Sequence, residues 1–516
     1  MHPDRDNVQI VVIGAGIAGL TTANRLINQY RFQNVLILEA LDRIGGRIHH
    51  VDIGDNQPVA LGAQFLHDKQ NEIYRLAQKL SVLPSKKLLR RLDDNSVECF
   101  LPDGQRVPDR VQDKLSDWYE ETDEWLDASA KKHGRFLDEP IGHYFAERFN
   151  RLLKDYKGSD DDKTTLQALR DFYMRSIEAE HGCACLDQLS FRVWSMWDGN
   201  GDLDDIPLMP GAYDTIVRHI ADKIPPSSIR LNAPVVGIDW SWSACGGNDT
   251  KRCPVRVTLA DGESIQADHV IITCSLGVLK AMHSADCFTP PLPHNKAVAI
   301  RNMGFDTLDK VWFLFEERFW PDNVDEIALV QTDAKANTDH QNLTEMFWSL
   351  TPDPWNDRLL CAWIGGKYTE RMEAASELDL AAAITKLLQT HTDYKRVKAP
   401  IKTIKTMWQS NPYFRGSYSY YSKEADRSNS TYQDIAEPLK ILRNIHDMFR
   451  TPVVQFAGEA THASHFQTTH GAYESGVREA ARLDKFYCKH LLSFGDDRSS
   501  GRLNKRQQKK RQSYRN

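Results

Sequence analysis

The feature that most constrains this chain is a glycine triplet, Gly14, Gly16 and Gly19, directly behind the apolar, β-branched stretch Val11 to Ile13. That stretch predicts a buried strand. The glycines permit a tight turn and let the backbone come close to a pyrophosphate. Thr21 onward predicts the helix whose N-terminus faces that anion, where free N–H groups and the helix dipole favour negative charge. Val35 to Leu38 predict a second strand. Glu39 ends it, placed to accept hydrogen bonds from a ribose diol. A glycine triplet alone is a weak sign of a dinucleotide, because glycine turns also arise for steric reasons. Here Arg43, Gly45, Gly46 and Arg47 follow Glu39 and strengthen that reading.

The chain of 516 residues is long enough for two large domains or three smaller ones. It is 41% hydrophobic and 26% charged, an ordinary balance for a protein with a packed core. No apolar run reaches roughly 18 residues, so no membrane span is expected. The polar stretch Met1 to Asp6 carries no secretory signature. Nine cysteines are scattered, and Cys183 with Cys185 is a poor zinc site without partners. No metal is therefore expected, and reduced cysteines fit a cytoplasmic setting. The net charge of −6 suits a cationic substrate without requiring one. Asn504 to Arg511 is strongly basic and predicts a solvated tail. A nuclear address or a nucleic-acid patch is the alternative there, and nucleic acid is not expected elsewhere. Ser513 to Asn516 is not the Ser-Lys-Leu peroxisomal address.

Strand, glycine turn and helix recur near both ends. Val453 to Phe456 predict a strand running into Gly458 to Thr461, and Gly471 to Tyr487 predict the helix behind it. Ile229 to Trp240, Val255 to Leu259 and His269 to Thr273 also read as strands, with a turn at Ala260 to Glu263. From 85 to 205 the segments are polar and helical in pattern. The expected class is α/β: a Rossmann-like dinucleotide-binding domain assembled from discontinuous segments, plus an α+β substrate-binding domain. Residues 1–84, 205–290 and 436–492 are assigned to the first domain. Residues 85–204 and 291–435 are assigned to the second, and 493–516 to the basic tail.

Further motifs follow in order: Leu61 to His67, Gly416 to Tyr420, Phe456 to His462, and Thr468 to Ala472. With the N-terminal fingerprint, they resemble the flavin-containing amine oxidases, and most closely their animal polyamine and spermine oxidase branch. The resemblance spans most of 8–490 and is weakest between 85 and 205. It implies FAD, bound non-covalently because no cysteine lies between 456 and 476. Gly14, Gly16 and Gly19 would hold the pyrophosphate, Glu39 the ribose, and Arg47 phosphate charge. Val236 resembles a strand valine whose backbone meets adenine. Glu459 would lie near the ribityl–pyrophosphate junction, and Trp408 beside the isoalloxazine. Thr469 precedes a helix whose positive end would face the flavin and favour negative charge there.

The resemblance also implies a chemistry. Lys310 would reach flavin N5 through a water, where a cation assists electron transfer to oxygen. His67 would line the polyamine tunnel and Gln467 and Thr468 the substrate end. The implied reaction oxidises a polyamine at a carbon beside a secondary amine, with molecular oxygen as acceptor and hydrogen peroxide as product. Asp68 and Glu180 are candidates to hold the charged nitrogens. Phe65 and Asp68 stand where related chains carry Trp and Gly, and Gln467 where they carry a small serine. Substrate identity is therefore the least constrained part. Monoamine oxidation, amino-acid oxidation, histone demethylation and a catalytically silent FAD-binding role stay as alternatives.

Overall fold

The computed structural model describes residues 9–54, 58–93, 96–133, 139–196, 206–241, 254–330, 343–441 and 450–493. The basic tail lies outside them. A six-stranded sheet runs, edge to edge, through Leu439–Ile441, Thr451–Phe456, His269–Ile272, Gln9–Ile13, Asn34–Leu38 and Ile229–Arg230. All neighbours are parallel except the outer pair Leu439–Ile441 and Thr451–Phe456. Its centre shows no alternation of inward and outward residues: Val11, Val12, Val270 and Ile271 are all fully buried. A parallel strand covered on both faces needs such a continuous apolar run. Segments far apart in sequence thus build one Rossmann-like α/β unit.

The first helix is Ile17–Asn24, four residues earlier than the sequence reading placed it. Gly16 is its N-cap, so the glycine turn itself supplies the helix end. The last helix, Thr469–Ser493, packs across it. Gly476 makes that crossing close, since a Cβ there would stand 2.4 Å from the carbonyl oxygen of Ala18. Thr22 Oγ1 donates to Ala18 O at 2.8 Å and to Gly476 O at 3.3 Å, tying the two helices together.

A second six-stranded sheet runs through Lys402–Lys405, Leu308–Leu314, Leu359–Gly365, Ser349–Pro352, Val324–Leu329 and Ser96–Phe100. Ser96–Phe100 falls in the stretch read as helical. It pairs in parallel with Val324–Leu329 at the sheet edge, a long-range contact that local pattern does not reveal. The rest of that stretch is largely helical, with Asp109–His133, Ile141–Asp155 and Asp160–His181. Ser159 caps the last of these by accepting from Asp162 N. Three aspartates fill its first turn, and Gly182 closes it at φ +59°. Helices and second sheet form the α+β part. No helix among the described residues is long and apolar enough to cross a membrane.

Candidate active site

A cavity of about 1160 Å³ joins the two parts. At one end it meets Ile13, Leu38, Thr273 and Gly458, at the carboxyl ends of the parallel strands, where open α/β sheets bind ligands. At the other end it meets the face of the second sheet at Lys310, Trp363 and Ser349.

The three glycines play different parts. Gly14 sits at φ +105°, and a Cβ there would stand 2.7 Å from Thr273 Oγ1. A Cβ on Gly19 would fall 2.0 Å from Gly14 O, so Gly19 lets helix and strand touch and does not itself line the cavity. Gly16 differs, because nothing of the protein comes nearer than 4.0 Å to its would-be Cβ. Protein packing gives no reason for glycine there, whereas a phosphate group lying against the backbone does. The helix behind it has neither a side-chain cap nor an acidic residue in its first turn, leaving its positive end for an anion. A dinucleotide pyrophosphate therefore fits the cradle.

Glu39 is buried, and burial pushes its carboxyl above the usual range. Oε2 accepts from Ala15 N at 2.6 Å and Oε1 from Leu41 N at 2.9 Å. A carboxylate has about four acceptor positions, so Glu39 retains capacity for a diol. Arg47 Nη1 donates to Ser417 O at 2.6 Å and to Glu459 Oε1 at 3.0 Å. Glu459 Oε2 in turn accepts from Ser419 Oγ at 2.6 Å and from Gln467 N at 3.0 Å. The Val236 side chain is 48% exposed, and the adjacent Val235 lines the cavity.

At the far end Lys310 is only 2% exposed. Nζ donates to Gly62 O at 2.8 Å, Gln64 Oε1 at 2.9 Å and Ala60 O at 3.2 Å, and lies 4.5 Å from the Trp363 ring centroid. Burial lowers its pKa to about 8. Trp408 is buried edge-on against Phe414, and its backbone N–H donates to Asp309 Oδ1 at 3.1 Å. Phe65 stacks with Trp363 at 6.5 Å. His67, Gln467, Thr468 and Thr469 all line the cavity. Thr468 Oγ1 accepts from Gly471 N at 3.0 Å and so caps the last helix, whose positive end opens on this space. Gln467, at φ +69°, donates through Nε2 to His181 O at 2.8 Å.

Glu180 lines the cavity and Asp68 does not. Asp68 Oδ1 instead accepts from Gln70 N in a local turn. Sequence reading passed over Asp123, Glu326, Trp348 and Trp363, which also line it. Lys310 was singled out by the family resemblance, and no motif marked Glu326, which follows another acid in Val324–Leu329. Among the described residues, His462, His465 and Glu474 could bring three ligand atoms within 4.8 Å of one another. Backbone N–H of His465 donates to His462 Nδ1 at 2.9 Å, so the ring's other nitrogen carries the proton in the neutral form. That argues against a metal.

The flavin containing amine oxidoreductase family matches residues 17–484. The chain belongs to this family. Its cofactor is accordingly FAD, and the cradle at Gly16 and Glu39 fits that group. Among relatives, the peroxisomal N(1)-acetyl-spermine/spermidine oxidase of Bos taurus is 30% identical, covering 92% of this chain and 94% of its own. Probable polyamine oxidase 5 of Arabidopsis thaliana is 28% identical, covering 93% and 98%. The solved cyclohexylamine oxidase from Brevibacterium oxydans superposes with a TM-score of 0.65 at 19% identity, over 93% of this chain and 99% of that one. It shares the fold. As in any flavin amine oxidoreductase, the chemistry here is oxidation of an amine.

Proposed function

We propose that this chain oxidises a linear polyamine of the spermine, N1-acetylspermine or spermidine class at a carbon beside a secondary amine. The observation that carries the reading is one cavity holding a buried Lys310, an aromatic wall and several carboxylates. Hydride leaves the carbon, water adds to the resulting iminium, and the adduct splits into an aldehyde and a shorter amine. FAD, when bound, would supply the two-electron acceptor, with dioxygen as the final oxidant and hydrogen peroxide as the product.

The residues do the rest. Gly14, Gly16, Glu39 and Arg47 would hold the cofactor's polar half. No covalent link is proposed: the cysteine lining the cavity is Cys274, whose thiol burial pushes up to about 12, which makes it a poor nucleophile. Trp363, Trp408 and Phe65 exclude water at the reacting end. A dry wall favours the neutral amine, the form able to release hydride. Lys310 and the N-terminus of Thr469–Ser493 supply positive charge on that side. His67, Gln467 and Thr468 shape the space around the reacting nitrogen. Glu180 keeps a remote nitrogen charged. A cytoplasmic location, or a nuclear one through the basic tail, fits the composition.

Peroxide production across spermine, N1-acetylspermine, spermidine and a monoamine tests the reading. The best polyamine should exceed the monoamine in kcat/KM by roughly tenfold or more, the worth of one charge-assisted hydrogen bond. A monoamine that matches it overturns the assignment.

A further inference from the structure

Glu326 stands on the cavity face of the second sheet, far from Lys310. The strands Leu308–Leu314, Leu359–Gly365, Ser349–Pro352 and Val324–Leu329 are successive neighbours. Lys310 pairs with Trp363, and Ser349 with Ala328. Three strand spacings thus lie between Lys310 and Glu326, roughly 14 Å at about 4.8 Å each. Lys310, Trp363, Ser349, Thr351 and Glu326 line the same cavity, so the face between the two charges is open to a ligand.

Glu326 has little local reason to be charged. Oε1 accepts from Ser349 Oγ at 2.5 Å. Burial raises its pKa, and the adjacent Asp325 raises it further. No lysine or arginine among the described residues forms an ion pair with it. The helices Asp109–His133 and Asp160–His181 bring Asp123, Asp127 and Glu180 to the cavity, which adds negative charge. Lys131 also lines it, but its ammonium is engaged by Asp127 at 2.7 Å. Glu326 is half-buried, open to the cavity, so its carboxylate lacks a protein cation on the side that a ligand would occupy. A cationic ligand supplies one when it arrives.

We propose that Glu326 is the distal amine subsite: it holds a charged nitrogen of a long polyamine whose reacting carbon lies at the Lys310 end, and so sets the preferred chain length. The inference rests on the polyamine reading above. An extended chain advances about 1.2 Å per covalent bond, so a backbone-to-backbone span of roughly 14 Å corresponds to about twelve bonds, less what the two side chains cover. A diamine seated at the Lys310 end falls short of Glu326. A tetraamine reaches it. The contact is a charge-assisted hydrogen bond, with Ser349 Oγ holding the carboxylate in place.

The test is Glu326→Gln in the flavin-loaded enzyme, with KM and kcat measured separately for spermine, spermidine and a diamine. KM for spermine should rise roughly tenfold or more, with kcat within about twofold and the diamine unchanged. The Tm of the variant without amine should equal or exceed that of the unaltered protein, because a half-buried charge beside Asp325 and without a cation has gone. Should this variant fold poorly, Glu326→Asp serves: it keeps the charge and should keep the preference for the longest amine. Equal losses for all amines, or none for spermine, overturn the subsite while leaving the polyamine reading intact. An unaltered enzyme inactive on every polyamine overturns both.

Discussion

Arg47 meets Glu459 at 3.0 Å across an interval of 412 residues. The same carboxylate holds Ser419 and the backbone of Gln467, so one buried group joins the cofactor-binding fingerprint to the loop that lines the substrate end. Glu459→Ala should cost about 3 kcal/mol, the low end for leaving one partner of a buried pair alone, because Arg47 keeps some solvent. The checks are Tm and flavin retained per chain after gel filtration, and both should fall. Glu459→Gln should lose less, since its amide oxygen still accepts one of these bonds.

Lys310→Met should keep the fold and the flavin, because length and apolar stem are retained. It removes a cation from the reacting end, which is typically worth on the order of 10²-fold in rate. Stopped-flow should find that loss in flavin reduction, in reoxidation by oxygen, or in both. Lysine with a pKa near 8 is charged below that pH and neutral above it. Reoxidation in the unaltered enzyme should therefore slow as pH rises through about 8, and this limb should be missing in the variant.

Asp309 lies next to Lys310 and accepts from Thr406 Oγ1 at 2.6 Å and Trp408 N at 3.1 Å. Burial, with Glu373 nearby, pushes its carboxyl up to about 7. The native state thus keeps a proton that the unfolded chain releases above its ordinary pKa of 3.8. Stability contributed by this group falls as pH rises from about 4 to about 7. Asparagine has the shape of the protonated acid and keeps the oxygen that Trp408 uses. Asp309→Asn should flatten this part of the Tm–pH curve and give the higher Tm at about pH 8, above the folded pKa. A variant less stable at every pH would show that the charged form is the native one.

Much of the cofactor end was legible because its signals are local. Gly14, Gly16, Glu39 and Arg47 sit within one short stretch, and all four line the cavity. Thr468 and Thr469 came from the family resemblance, whereas strand–turn–helix logic placed the start of the last helix at Gly471, two residues late. Parity along a strand was less legible: Val235 and Val236 are equally apolar, and only pairing with Val255–Leu259, in which Val236 is the extra, unpaired residue of a bulge, decides which one faces inward. The substrate wall was hardest. Trp363, Ser349 and Glu326 come from three strands whose order is set by tertiary pairing, and nothing within each run says that they share a face. Ser96–Phe100 was missed for the same reason, since a lone edge strand is stabilised by its distant partner.

Gln467 replaces a smaller residue expected near the substrate nitrogen, and its amide is tied to His181 O. Gln467→Ser should widen this end and change the ratio of kcat/KM for spermine to that for N1-acetylspermine, by about fivefold or more if a contact near 1 kcal/mol is involved. Flavin content should stay near normal, because Gly16 and Glu39 lie elsewhere. An unchanged ratio would remove Gln467 from the substrate wall.

The most direct measurement is anaerobic mixing of the flavin-loaded protein with spermine, watched in the visible flavin band. Bleaching should saturate with amine concentration, a simple monoamine should bleach little, and colour should recover with peroxide release when air is admitted. A flavin that stays oxidised with every polyamine tried, or that a monoamine reduces equally fast, would contradict the polyamine assignment.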